Sequence, residues 1–270
     1  AGTFNISTAA ALVVAGAGRP HDVAVAKHGN KSVTSNSGSN QVLEQLGVKI
    51  QVSDETLAQC LDEAGLCFCF APAHHPAMKY AAPIRAELGF RTIFNMVGPL
   101  TNPAGATRQL VGVYASHFTS LVAEALKRLG SERAIVVHGR IPDADGTHID
   151  GLDELSTAGP SQLSSLFNGQ VRTEELAPDA LGLSYSHPSA LRVDSPEASA
   201  ALVRGVLAGG HGPARDIVCL NAAAALVVAD LAGDLSEGLE RAAEAIDSGA
   251  AREALERLVA ITTADATPVG

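Results

Sequence analysis

The chain has 270 residues, a formal net charge of −10, a pI near 5.3 and 46% hydrophobic residues. This length and apolar content can bury a sizeable core, and we expect a single domain spanning residues 1–270. The acidic balance argues against nucleic acid or an anionic membrane as a partner, because phosphate contact relies on clustered Lys and Arg. We find no run of about twenty apolar residues that would predict a membrane span. The four cysteines match no zinc spacing, so we expect buried free thiols in a reducing cytoplasm.

The first part of the chain alternates predicted helices and strands. An apolar run after the hydroxyl-bearing residues 3–8 predicts a buried helix at residues 9–18, with those hydroxyls as candidate caps. A short strand is expected at residues 23–26. Helical spacing of the apolar residues within 42–46 predicts a second helix after the intervening loop.

That loop, residues 27–38, carries the chemistry of an anion site. It opens with Lys27, His28 and Asn30, continues through four hydroxyl side chains and ends at Gly38. Free backbone N–H groups, short donor side chains and the positive end of a helix dipole together suit a multiply charged phosphate. An ordinary Ser-rich loop that caps a helix is the alternative.

The next predicted strand, a continuous apolar run at residues 66–72, is followed by a histidine pair and a helix. His74 and His75 are candidates for binding a metal or for positioning a ligand, although adjacent residues rarely point to one centre. Arg85 on the helix suits bidentate recognition of a carboxylate at the strand ends, and a solvated surface arginine is the alternative. Two prolines and a glycine predict a rigid, non-helical loop at residues 96–103.

The middle of the chain continues the strand–helix–strand rhythm. Strands are predicted at residues 110–114 and 134–137, with an amphipathic helix between them. After a polar insert at residues 140–149, Asp153 and Glu154 lie on a Gly-bearing loop. Paired carboxylates are hard oxygen ligands suited to Mg²⁺, which usually also draws on substrate phosphates. An ordinary acidic loop is the alternative.

The last third is predicted to be helical. Residues 156–191 show little periodicity, but a Ser-Pro-Glu helix start follows at residue 195. The helix predicted at residues 216–231 is apolar nearly all round and therefore buried, so Asn221 needs an internal hydrogen-bond partner. Two amphipathic helices are predicted at 236–248 and 250–261. Together the elements indicate the α/β class, with a mostly parallel central sheet flanked by helices.

Several long motifs resemble one enzyme family. Residues 27–47 read KHGNKSVTSNSGSNQVLEQLG, with TFNIST before them and HHPAMKYAAPIRAELGFRTIFNMVGPLTNPAG after them. With DGLDELS and NAAAAL further on, they resemble anthranilate phosphoribosyltransferases over nearly the whole chain. The resemblance implies a nucleoside phosphorylase/phosphoribosyltransferase-like catalytic domain. It also implies a magnesium-dependent glycosyltransferase of tryptophan biosynthesis, which moves the phosphoribosyl group of 5-phosphoribosyl 1-pyrophosphate (PRPP) to the amine of anthranilate.

The resemblance further implies roles for individual residues. Those expected to hold PRPP are Thr3, Asn5, Ile6, Ser7, Thr8, Lys27, His28, Gly29, Asn30, Lys31, Ser32, Val33, Thr34, Ser35 and Ser39. Those expected around anthranilate are Asn30, Arg85, His28, His75, Gly98 and Pro99. The implied magnesium ligands are Ser7, Asp153 and Glu154. No covalent catalyst is implied, so positioning and electrostatics should carry the rate.

The chain also departs from the family pattern. Lys31 stands where the family usually has Arg, Asn40-Gln41 replaces a usual Ala-Asp, and residues 140–149 look inserted. Family members have an N-terminal helical domain, which supplies the usual dimer interface, and a Gly-Thr-Gly-Gly-Asp loop directly before TFNIST. We therefore expect a homodimer for a full-length protein, and weak activity or none for this chain alone.

Two other functions stay open at this point. A pyrimidine nucleoside phosphorylase would share the fold, although the HHPAMK and DGLDE stretches resemble that family less well. A non-catalytic relative that binds nucleic acid is the second alternative, and the net charge of −10 counts against it.

Overall fold

The computed structural model describes residues 2–30, 38–88, 92–142 and 149–266, and the side chains of residues 82, 85, 86, 149 and 150 lie outside that description. The α-helices are α1 (Ile6–Gly18), α2 (Ser39–Gln45), α3 (Asp54–Gln59), α4 (Ala71–His74), α5 (Met78–Leu88), α6 (Phe94–Val97), α7 (Phe118–Arg128), α8 (Pro196–Leu207), α9 (Pro213–Val228), α10 (Leu235–Asp247) and α11 (Ala250–Ala264). The strands are β1 (Val25–Gly29), β2 (Leu66–Phe70), β3 (Arg108–Gly112), β4 (Arg133–Pro142), β5 (Ile149–Leu152), β6 (Ser161–Phe167) and β7 (Gln170–Leu176). Within the described ranges, no helix has both the length and the apolar character needed to cross a membrane.

The described strands form two sheets. β1 and β2 pair in parallel, with Lys27 opposite Phe68. The larger sheet has the order β3-β4-β6-β7, and β5 pairs with β4 outside that path. β3 and β4 are parallel, whereas β5, β6 and β7 join through antiparallel pairs. The α/β class is therefore confirmed, and two of the three described antiparallel pairs involve β6, which lies in the part of the chain where the sequence shows little periodicity.

Helix α1 lies at the centre of the helical core. Ile6, Leu12 and Val13 are fully buried, and the helix packs against α8, α9, α10 and α11. An almost entirely apolar helix can be buried on every side. Helix α9 packs against α1 and also contacts β3 and β4, so it connects the helical core to the larger sheet.

The predicted C-terminal helices and the state of the cysteines are confirmed. Ser195 caps α8 by accepting the Ala198 N–H, with Pro196 in the first turn. Asn221 on α9 is 2% exposed and has internal partners, as a buried amide requires. All four cysteines are buried and free.

Four details differ from the sequence predictions. The first strand lies two residues later than expected, because Val25–Gly29 is the segment that pairs with Leu66–Phe70. The prediction of a non-helical loop at 96–103 is wrong, since α6 and a 3-10 turn at Gly98–Leu100 occupy most of it. Proline fits this turn because Pro99 is in its first positions, where no helical N–H is needed. Part of the polar insert extends β4 and β5, and residues 143–148 lie outside the described residues.

The fourth difference concerns the cap of α1. The hydroxyls of residues 3–8 are not the N-cap; the amide oxygen of Asn5 accepts the Thr8 N–H over 3.0 Å instead. Asparagine is as good an N-cap as serine, because its side-chain oxygen reaches the same free N–H groups.

Candidate active site

A cleft of about 1780 Å³ lies between β1 and β3, each of which pairs with only one neighbour among the described strands. The remaining walls are one side of α1 from Ser7 to Val14, one side of α9, parts of residues 71–79 and 94–102, and Asp153 with Glu154. In open α/β sheets, ligands bind in crevices at the carboxyl ends of parallel strands. The cleft is larger than the roughly 300–1,000 Å³ of a typical small-molecule pocket, so it has room for more than one small ligand.

Asn5 fixes the beginning of α1 at this cleft. Its backbone N–H donates to Ser199 Oγ over 2.8 Å, and its side-chain Nδ2 donates to Ser39 Oγ over 3.2 Å. With the bond to the Thr8 N–H, these contacts connect the first turn of α1 to α8 and to the first residue of α2. The starts of two helices, and with them the positive ends of their dipoles, thus lie side by side.

Ser7 connects the start of α1 to two charged residues that are distant in sequence. Lys27 Nζ donates to Ser7 Oγ over 2.9 Å, and the Ser7 backbone N–H donates to Glu154 Oε1 over 3.1 Å. The Ser7 hydroxyl donates to Asn5 Oδ1 over 3.4 Å, which leaves one lone pair of Ser7 Oγ for a further ligand. Asp153 and Glu154, named the acidic turn below, therefore lie beside Ser7.

Burial and neighbouring charges shift the pKa values of this cluster. The pKa of Glu154 is raised to about 8, mainly by desolvation and further by the charge of Asp153, against the opposing effects of Lys27 and Ser7. Desolvation lowers the pKa of Lys27 to about 8, although Glu154 and Asp153 oppose the change. Lys27 and Glu154 keep some accessible surface in the cleft, but their charged ends are surrounded by protein. Two carboxyl groups thus face one lysine, and burial together with the charge of Asp153 keeps a proton on Glu154 at neutral pH.

Two glycines let the acidic turn lie directly on the larger sheet. A Cβ at Gly112, the last residue of β3, would overlap the carbonyl oxygen of Asp153. A Cβ at Gly139 on β4 would overlap the carbonyl oxygen of Glu154. The close approach of these backbones requires glycine at both positions. The strands thereby set the distance between the acidic turn and the start of α1.

His28 and His75 meet on the opposite wall of the cleft. Their Nε2 atoms are 3.2 Å apart, and the rings cross edge-on at a centroid distance of 5.1 Å. Burial lowers the pKa of His28, and the neighbouring His75 and His74 lower it further, while a hydrogen bond to the backbone of Gly98 opposes the change. One ring must donate and the other accept, so the contact cannot survive with both rings protonated.

The remaining sequence-predicted residues fall into four groups. Gly29, Asn30, Gly98 and Pro99 line the cleft with the residues above, whereas Thr3 forms an antiparallel bridge with Arg192. The side chains of Ile6 and Thr8 are fully buried, and their backbone N–H groups already donate to the Phe4 carbonyl oxygen and to Asn5 Oδ1, so neither N–H is free for a ligand. Lys31, Ser32, Val33, Thr34 and Ser35 lie outside the described residues, and for Arg85 only the backbone, on α5, is described.

The residues of the cluster fit a magnesium ion that also contacts phosphate. Two carboxylates and a serine hydroxyl are the hard oxygen donors that Mg²⁺ takes, and a dication would offset the charge that Glu154 gains when it loses its proton. Within the described part of the chain, no group of three or more His, Cys, Asp or Glu side chains could hold a metal. An Mg²⁺ ion held by one or two carboxylates usually completes its shell with phosphate oxygens and water.

Two supporting residues were not predicted from the sequence. Ser199 accepts the Asn5 N–H from across the helical core, 194 residues away. Asn102 Nδ2 donates to the carbonyl oxygen of Ala26 on β1 over 2.9 Å, and so ties the segment after the 3-10 turn to the strand. Neither serine nor asparagine carries a local signal for such a distant partner, although Asn102 belongs to the stretch at residues 96–103 that was predicted to be rigid.

Comparison with known proteins agrees with this geometry. The model of the glycosyl transferase family, a/b domain, matches residues 1–252. The anthranilate phosphoribosyltransferase of Rhodopseudomonas palustris (strain BisB5) is 49% identical over 97% of this chain and 74% of its own length. That of Thioalkalivibrio sulfidiphilus (strain HL-EbGR7) is 50% identical over 97% of this chain and 73% of its own length.

Solved structures give the same result. The anthranilate phosphoribosyltransferase of Thermus thermophilus superposes with a TM-score of 0.87 at 42% identity, covering 97% of this chain and 74% of that one. The enzyme of Saccharomyces cerevisiae, solved in complex with PRPP and Mg, has a TM-score of 0.81 at 28% identity, covering 97% of this chain and 70% of that one. The chain therefore belongs to the anthranilate phosphoribosyltransferase family.

Proposed function

We propose that this chain transfers the phosphoribosyl group of PRPP to the amine of anthranilate, with release of pyrophosphate, as a step of tryptophan biosynthesis. The observation that carries the proposal is the meeting of Ser7, Lys27 and the acidic turn in one cleft. This is the constellation that a metal-bound diphosphate needs. The names of the relatives support the choice of substrates.

The start of α1 and Lys27 would bind the diphosphate. Pyrophosphate is a multiply charged leaving group, and its charge grows as the C–O bond to the ribose breaks. The positive end of the α1 dipole and a buried ammonium are fixed in place before the reaction, so they stabilise that charge without reorganising. In this role Lys27 gains a partner that favours its protonated form, which offsets the desolvation that now lowers its pKa.

Ser7, Asp153 and Glu154 would hold Mg²⁺ at the same end of the cleft. A bound Mg²⁺ supplies Lewis-acid stabilisation of the diphosphate oxygens. The bond between the Ser7 N–H and Glu154 Oε1 keeps that carboxylate next to the serine hydroxyl, and Asp153 is the neighbouring residue of the same turn. Binding then requires loss of the proton that the raised pKa of Glu154 keeps on the carboxyl group.

The histidine wall would receive anthranilate. His28, His75, Gly98 and Pro99 line one side of the cleft together with Asn30, and a flat aromatic acid fits against such rings and a rigid turn. Arg85 would recognise the carboxylate, as the family resemblance implies. Holding the amine near the ribose carbon contributes through proximity and orientation, and the chain need supply no nucleophile.

We further propose that the enzyme works in the cytoplasm, where its four free cysteines would stay reduced, and that a full-length protein forms a homodimer. Small molecules, and not nucleic acid, would be its ligands, in keeping with the net charge of −10.

Turnover of both substrates tests the proposal. The chain is incubated with PRPP, Mg²⁺ and anthranilate, and loss of anthranilate fluorescence is followed together with pyrophosphate release. We expect stoichiometric formation of both products, even at a low rate, and loss of the magnesium dependence when Asp153 and Glu154 are both replaced by Ala. Phosphorolysis of thymidine without any anthranilate turnover would instead support a nucleoside phosphorylase.

A further inference from the structure

Asn221 on α9 makes a two-bond contact with the residue that follows the acidic turn. Its Oδ1 accepts the Leu155 N–H over 2.9 Å, and its Nδ2 donates to the Leu155 carbonyl oxygen over 2.9 Å. The second hydrogen of Nδ2 goes to the Ile217 carbonyl oxygen one turn earlier on α9, also over 2.9 Å. The side-chain amide thus pairs with Leu155 as a neighbouring strand would, and both of its donors are in use.

The acidic turn has no regular structure of its own to hold it. β5 ends at Leu152, and the backbone is irregular from Asp153 until β6 begins at Ser161. On the sheet side the turn lies against Gly112 and Gly139 without room for a Cβ. On the helix side Asn221 binds Leu155, the next residue along. The turn is therefore fixed between two glycines and one amide.

We infer that Asn221 is a positioning residue for the acidic turn: by binding the backbone of Leu155 it sets where Asp153 and Glu154 stand relative to Ser7. The inference rests on the proposed function, because it takes the acidic turn to be placed there for binding a metal ion. Asn221 also lines the floor of the cleft, but its amide is fully committed to the two backbones. Its action on a ligand is thus indirect.

The chemistry of the contact explains why an asparagine is needed. Leu155 is fully buried, so both of its backbone groups need partners inside the protein. Alanine at position 221 would leave one buried N–H and one buried carbonyl unpaired, and the turn would shift to satisfy them. A shift of about 1 Å is enough to disturb a metal site built on three donors.

Calorimetry on Asn221→Ala and a control on the same helix tests the inference. PRPP is titrated into each protein at a series of Mg²⁺ concentrations, and the concentration that gives half of the binding heat is determined. Leu226→Ala is the control, because Leu226 is fully buried on α9 and lies more than one helical turn beyond Asn221. Thermal unfolding of both metal-free variants measures their general loss of stability.

We expect Asn221→Ala to raise the half-saturating Mg²⁺ concentration about tenfold or more, as loss of a partner that orients a metal ligand typically does. Leu226→Ala should leave that concentration within about twofold at an equal or larger loss of Tm. An unchanged magnesium titration in Asn221→Ala, or an equal change in both variants, would overturn the inference alone. Absence of magnesium-dependent heat in the unsubstituted chain would overturn both it and the proposed function.

Hydrogen exchange on the unsubstituted chain covers the case in which Asn221→Ala does not fold. We expect the Leu155 N–H to exchange as slowly as the backbone N–H groups in the middle of α9. Its bond to Asn221 Oδ1 cannot open unless the bond from Asn221 Nδ2 to the Leu155 carbonyl oxygen opens as well. Exchange of Leu155 as fast as that of the exposed turn at Asn168–Gly169 would contradict a fixed acidic turn.

Discussion

Replacing Glu154 with Gln should remove a pH dependence of stability from the metal-free chain. The substitution keeps the shape of the side chain and an oxygen that accepts the Ser7 N–H, but the group no longer titrates. In the folded chain the pKa of Glu154 is raised from 4.5 to about 8. Between these two values the folded state therefore binds a proton that the unfolded state has lost. Stability must then fall as the pH rises through this range.

The expected size follows from the two pKa values. For one proton, each pH unit across the range lowers the free energy of unfolding by about 1.4 kcal/mol. Integrating from pH 5 to pH 7, where the unfolded carboxyl is already mostly ionised, gives a loss of about 2.5 kcal/mol. Lys27, whose pKa is lowered to about 8, stays mostly protonated over this interval, so the window isolates the carboxyl.

Urea unfolding at pH 5 and pH 7, with a chelator present, measures the effect. From pH 5 to pH 7 the free energy of unfolding of the unsubstituted chain should fall by about 2.5 kcal/mol more than that of Glu154→Gln. Glu256→Gln is the control, because Glu256 is exposed on α11 and its ion pair with Arg252 lies at the surface. It should follow the unsubstituted chain. Equal pH dependence in all three proteins would refute the placement of a neutral carboxyl beside Ser7.

Three further outcomes are expected. Gly112→Ala should destabilise the chain by more than about 3 kcal/mol in urea unfolding, because a Cβ there overlaps the Asp153 carbonyl oxygen. The control Gly205→Ala, in open space on α8, should stabilise the chain by about 0.5–1 kcal/mol. Similar losses of stability in both variants would contradict the close contact at Gly112. Arg85→Ala should raise the KM for anthranilate at least about tenfold while changing that for PRPP little, and an equal rise in both would disprove its role. Lys27→Met should weaken PRPP binding at saturating Mg²⁺ by about tenfold or more in calorimetry, and unchanged affinity would place the diphosphate elsewhere.

The elements with strong periodicity could be predicted from the sequence. Helices α1, α7 and α9 and strand β2 carry apolar patterns that depend only on local spacing. The hairpin of β6 and β7 was missed because its serines and charged residues hide the alternation, and β7 is mostly exposed. A signal was present, since Asn168–Gly169 join the two strands and both have positive φ angles. An Asn-Gly pair of this kind is typical of a two-residue hairpin turn.

The site could be predicted only in part. The residues and their types follow from the resemblance, but the contact between Ser7 and Glu154 spans 147 positions and depends on how β4, β5 and α9 are arranged. No spacing rule carries information over that distance. The buried side chains of Ile6 and Thr8 illustrate the same limit. Which residues of the first turn face the cleft and which face the core depends on how α1 packs against the rest of the protein.

A crystal structure with PRPP and Mn²⁺ in place of Mg²⁺ tests the central claim most directly, because anomalous scattering locates the metal independently of the sugar. The account predicts an anomalous peak about 2.0–2.4 Å from oxygens of Ser7 and the acidic turn, with the diphosphate between that peak and Lys27. A metal and diphosphate bound outside the cleft, or a diphosphate in the cleft with no metal at the acidic turn, would contradict it.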